Sequence, residues 1–147
     1  MKFINALIIL VLLSVGLLLS ACAPAAAPED EIKPVSLEPI EGTDLNRITL
    51  TEQAAERLGL ETAQVTAQQV DGADRLVVPY AALLYDPSGQ AWVYVNIESL
   101  VFVRQAITVD SIDGDEVFLS EGPEAGANVV TMGATELFGS ESEFEEE

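Results

Sequence analysis

One thiol is the first group along the chain that can do covalent chemistry. Cys22 is the only cysteine among 147 residues, and it closes the run Leu19-Ser20-Ala21-Cys22. Ahead of that run lie a charged start, Met1-Lys2, and an apolar stretch from Ile4 to Leu19. A basic n-region, a short apolar core and small residues at the cut describe a secretory leader. A cysteine directly after the cut makes its thiol a lipid (palmitate) attachment point rather than a nucleophile or a metal ligand. The apolar stretch is shorter than the ~20 residues that cross a bilayer, which separates it from a transmembrane anchor. Residues 1–21 therefore read as a lipoprotein signal peptide with a Leu19-Ser20-Ala21-Cys22 lipobox. The expected location is the extracytoplasmic face of a bacterial envelope membrane.

The rest of the chain is poor in reactive groups. It has no histidine, so neither a Ser-His-Asp nor a Cys-His nucleophile can be assembled and no imidazole is present to hold zinc or copper. Carboxylate pairs are expected by chance among 25 acidic residues, and none adjoins a recognisable pocket motif. Gly122 and Gly126 lack the following Lys-Ser/Thr of a phosphate-binding loop. The densest acidic run, Asp110 to Glu116, lacks the alternating ligands and the closing glutamate of a calcium loop, and reads as a solvated hairpin tip. The expectation is a protein that is not an enzyme and needs neither cofactor nor metal.

Charge limits the partners. Cleavage before Cys22 leaves 126 residues that keep all 25 acids and five of the six basic residues, a formal charge of −20. Such a surface repels nucleic acid and anionic lipid headgroups. With Cys22 acylated no disulfide can form, and the fold must stand on its core.

Several elements must carry whatever surface does the work. Residues 22–45 are rich in alanine, proline and acid, with Pro24, Pro28, Pro34 and Pro39, and are expected to be a disordered tether of extended, polyproline-like chain. A strand is expected at Arg47–Leu50 and a short helix at about 52–58, with Thr51 as N-cap, Glu52 in the first turn and Gly59 in the left-handed position after the last. Leu60, Thr62 and Val65 continue as extended chain, and Asp71-Gly72-Ala73-Asp74 reads as a turn or loop. Strands follow at Leu76–Val78, Ala91–Asn96 and Val101–Arg104, and on both sides of Asp113-Gly114, a strong hairpin signal. A last strand covers Asn128–Met132. Strict alternation places Trp92 and Tyr94 on one face of their strand. Residues 139–147 read as an acidic disordered tail. The expected fold is mainly β: a small barrel of five to seven short strands with one short N-terminal helix, over residues 46–138.

Four segments, in order, resemble the C-terminal part of the periplasmic adaptor subunits, or membrane fusion proteins, of resistance-nodulation-division (RND) efflux pumps. They are Val78-Pro79-Tyr80-Ala81-Ala82-Leu83, then Gly89 to Val95, then Phe102 to Val109, and Val129 to Leu137. The stretch from Arg47 to Thr62 is similar to the opening of the heavy-metal adaptors. The resemblance implies a membrane-proximal domain with a permuted SH3-like barrel over about 75–138. In a full adaptor a lipoyl-like sandwich and an α-helical hairpin lie between the two matching parts; here only Val65 to Arg75 separates them, so the chain resembles an adaptor without its middle. The resemblance implies an accessory component of an export system for drugs or metals, with an RND-type inner-membrane pump and full-length adaptors as partners. Tyr80, Trp92, Tyr94, Phe102 and Arg104 are then the expected contact residues. The other reading is a free-standing envelope lipoprotein that binds a ligand or a cation.

Overall fold

The computed structural model describes residues 33–145. The lipobox with Cys22 and the first part of the expected tether lie outside the described residues, as do Glu146 and Glu147. No helix among the described residues is long and apolar enough to cross a membrane.

The domain is mainly β. Its strands are β1 (Val35–Pro39), β2 (Asn46–Leu50), β3 (Glu61–Gln64), β4 (Thr66–Val70), β5 (Ala73–Pro79), β6 (Leu84–Tyr85), β7 (Ala91–Glu98), β8 (Val101–Ala106), β9 (Thr108–Asp113), β10 (Glu116–Glu121) and β11 (Asn128–Met132). Two helices, α1 (Glu52–Leu58) and α2 (Ala134–Glu145), and a 3-10 turn at Tyr80–Ala82 complete it. A seven-stranded sheet runs β1-β2-β8-β7-β11-β3, with β6 added on β7, and a four-stranded sheet runs β4-β5-β10-β9. Every pairing is antiparallel.

The large sheet is buried on both faces, and strand alternation sorts its residues between two cores. Val93, Val95 and Val129 pack toward the small sheet, where Val78, Val117 and Leu119 meet them. Tyr94, Phe102, Ile48 and Val130 point the other way, onto Ala54 of α1 and Ala134 and Leu137 of α2. The result is three layers, sheet on sheet on helices. The strands number more than the five to seven expected because β1, β4 and β6 are short or atypical, and their periodicity is weak in sequence.

Helix α1 begins where Thr51 Oγ1 accepts a hydrogen bond from the Ala54 amide, and it ends at Gly59, whose φ of +60° suits a residue without a side chain. Gly133 is more constrained. Its φ is +84°, and a methyl group there would overlap the Leu60 side chain and approach the Leu58 carbonyl at 3.3 Å.

Two segments expected to be disordered are ordered. Residues 35–39 of the expected tether form β1, paired with β2 from Val35 opposite Leu50 to Pro39 opposite Asn46. Val35 and Leu37 alternate onto the helix-side core; the flanking prolines hide that period of two, and Pro39 is tolerated because β1 is an edge strand. Residues 139–145 of the expected tail continue α2. Ala134, Leu137, Phe138 and Glu141 fall at i, i+3, i+4 and i+7, one face of a helix. That face was not evident because its last position is an acid, and Glu141 is only 1% exposed.

Candidate binding site

β7 and β8 form a hairpin whose register places Tyr94 opposite Arg104, Trp92 opposite Ala106 and Asn96 opposite Phe102. Trp92, Tyr94, Phe102 and Arg104 therefore share the face that α1 and α2 cover. Tyr94 is fully buried and Phe102 is 4% exposed, so neither can touch a partner, which corrects the expectation for both. Their alternation was legible, but the helix above them was hidden in the acidic C-terminus. Arg104 is also largely enclosed, with 12% of its side chain exposed. Tyr80 lies apart on the 3-10 turn and is 53% exposed. Trp92 is half-buried.

Arg104 and Trp92 take part in a site that composition did not indicate. The Arg104 guanidinium carbon lies 4.6 Å from the centroid of the Trp92 ring and 5.3 Å from that of Phe138, so the cation lies between two aromatic faces. Its Nε is 3.5 Å from Glu141 Oε2. The Tyr94 hydroxyl donates to the same oxygen at 2.6 Å, a short charge-assisted bond. Two buried polar atoms in this network, Arg104 Nε and Glu141 Oε1, have no hydrogen-bond partner among the described residues.

The opposite wall is the turn Asp86-Pro87-Ser88-Gly89, which closes through Gly89 at a φ of +86°. Asp86 organises it. Oδ1 accepts from the Ser88 hydroxyl at 2.6 Å and from the amides of Ser88 and Gln90 at 2.8 and 3.0 Å. Oδ2 accepts from the Trp92 indole N–H at 3.0 Å. The Ser88 hydroxyl is the largest influence, and with the indole and the two amides it holds the carboxyl at about 2 against an ordinary 3.8, despite an opposing effect of desolvation.

Between the turn and α2 lies an open cavity of about 310 Å³ lined by Asp86, Pro87, Arg104, Phe138, Glu141 and Ser142. Of these only Arg104 stands among the contact residues expected from sequence. Asp86 reads as an ordinary turn residue, and Phe138, Glu141 and Ser142 as the edge of a tail. The signal that reveals them is the helical spacing of Leu137 and Glu141 behind Ala134. Chemically the arrangement offers acceptors, a stacked guanidinium and an aromatic wall around a small opening. Among the described residues no three His, Cys, Asp or Glu side chains converge as a metal cluster. Asp110, in the acidic hairpin run, pairs with Arg75 Nε at 2.9 Å.

Comparison of the chain with known protein families, with characterised proteins and with solved structures finds no match.

Proposed function

We propose that the protein is a lipid-anchored, non-enzymatic, adaptor-like accessory component of an RND-type export system, held at the membrane through Cys22 and acting by protein–protein contact. The observation that carries this reading is how the two adaptor-like parts meet. The upstream part supplies β2, α1 and β3, and the downstream part supplies β7, β8 and β11. β2 pairs with β8, and β3 pairs with β11, so the early strands flank the late ones in a single sheet. The short stretch that stands where a full adaptor has its middle forms the β4–β5 hairpin, from Thr66 opposite Val77 to Val70 opposite Ala73, around Asp71-Gly72 with both φ values positive. A chain without the intervening domains can thus complete this sheet.

The contact surface in this reading is the exposed connection between β5 and β7. Tyr80 and Tyr85, 53% and 57% exposed, replace Tyr94 and Phe102 as its aromatic groups, since interfaces favour tyrosine at solvent-facing positions. The test is a mild-detergent pull-down of the tagged, lipidated chain from native membranes after brief crosslinking, with the copurifying proteins identified by mass spectrometry. An RND-type pump is expected, in reduced yield with the Tyr80→Ala, Tyr85→Ala double variant. Repeated recovery of the chain with no transporter overturns the reading and leaves a free-standing envelope lipoprotein.

A further inference from the structure

The cavity between the Asp86 turn and α2 has features that the contact reading does not use. Its lining carries two carboxylates, Asp86 and Glu141, against the single guanidinium of Arg104. Arg104 is already engaged, stacked between Trp92 and Phe138 with its Nε toward Glu141 Oε2. Asp86 is satisfied only by neutral donors, so its charge has no cationic partner among them. Glu141 is buried to 1% exposure, and its Oε1 has no donor among the described residues. A buried acceptor without a donor is costly, and charged acceptors more so. The lining is thus one positive charge short of neutral.

We propose that this cavity binds a small organic cation, an alkylammonium ion whose N–H groups donate to Asp86, whose charge lies in the field of Glu141, and whose alkyl chain lies along Phe138 and Pro87. The proposal is independent of the adaptor reading. A metal ion fits less well, because hard cations take six or more oxygen ligands and a guanidinium occupies one side of this opening. An anion would have to face both carboxylates. At about 310 Å³ the cavity stands at the small end of ligand sites, which run from about 300 to 1,000 Å³, so it has room for a ligand with a handful of carbon atoms.

The chain's only tryptophan reports on the site, since Trp92 stacks on Arg104 and donates to Asp86. The full chain in a non-ionic detergent is titrated with n-butylammonium chloride at constant ionic strength, read by tryptophan fluorescence and by calorimetry. Sodium butyrate, n-butanol and sodium chloride serve as controls. Saturable binding of butylammonium is expected at about 10 mM or below, in line with the affinity per atom of small ligands. Asp86→Asn is expected to weaken it about tenfold, the loss of one charge-assisted contact, and Glu141→Gln to weaken it by less, the loss of a nearby negative charge. Should Glu141→Gln fail to fold, Asp86→Asn at the solvent side and Ser142→Phe, which fills the opening, decide by calorimetry. A nonsaturating response shared by all the probes means that the cavity holds water only and overturns the proposal. Tighter binding of butyrate, or butylammonium affinity unchanged in the variants, does the same.

Discussion

Tyr94 and Arg104 stand directly opposite each other on β7 and β8, and one oxygen of Glu141 meets both, 2.6 Å from the tyrosine hydroxyl and 3.5 Å from the arginine Nε. A carboxylate near the end of the C-terminal helix is thus fixed to the centre of the large sheet. Burying a charge is unfavourable unless it is paired and hydrogen-bonded, so this contact orients α2 as well as adding to its packing.

Breaking the pair from one side should be severe. Glu141→Leu leaves Arg104 largely buried without its carboxylate and is expected to lower stability by about 3 kcal/mol. The double variant Glu141→Leu, Arg104→Met should lose clearly less than the sum of the two single changes. Urea unfolding of all four proteins measures the difference, and strict additivity would show that the two side chains do not interact.

Truncation tests the order of the C-terminus directly. Ending the chain after Gly139 removes Glu141 and the last turns of α2 but keeps Leu137. A disordered tail could be removed without effect, whereas the helix described here predicts a loss of about 2 kcal/mol or more, from Arg104 left without its carboxylate and the exposed helix-side core. Chemical denaturation of the truncated and full chains decides between them.

Gly133→Ala should cost about 1–3 kcal/mol. The position combines a left-handed φ with a side chain already in the place of the new methyl group. Gly126→Ala shares the positive φ, +93°, but has nothing within 4 Å, so it is expected to cost about 1 kcal/mol. Thermal unfolding of both variants separates crowding from backbone conformation; equal losses would remove the crowding argument.

The Asp86 turn makes stability depend on acid. Its folded value of about 2 lies below the ordinary 3.8, so the unfolded chain takes up the proton first as the pH drops. The contribution is fully present above about pH 4 and disappears as the pH falls toward 2. The gap in melting temperature between the native chain and Asp86→Asn should be constant from pH 6 to about 4.5 and close below that. A gap that does not change with pH would mean that the carboxylate's charge plays no part in holding the turn.

The parts of this fold legible in sequence are those whose cause is local. Thr51 and Gly59 bracket α1 by capping chemistry, Asp113-Gly114 reverses the chain between β9 and β10, and alternation along Ala91–Asn96 marks β7 as a strand. The other parts depend on distant partners. β1 is a strand because β2 pairs with it, and its apolar positions are only Val35 and Leu37 between prolines. Most of the candidate site was illegible for the same reason: Glu141 looks like one acid among many until Tyr94 and Arg104 are placed under it. Sequence alternation grouped Trp92 with Tyr94 on one face, but it could not show that Phe102 and Arg104 join them across the hairpin or that α2 lies over that face.

The order of strands in the large sheet also bears on how the chain reaches this state. Ile48 pairs with Phe102 and Thr62 with Val130, so strands made early must wait for partners made much later, and the loop entropy of those closures comes before their reward. Folding with so many distant pairings belongs to the slower, millisecond-to-second range of small β domains. In a chain that emerges amino end first, the helix-side face can close only after Leu137 and Glu141 of α2 have emerged. A chain that crosses a membrane amino end first would keep Tyr94 and Phe102 wet until its last helical turns had emerged.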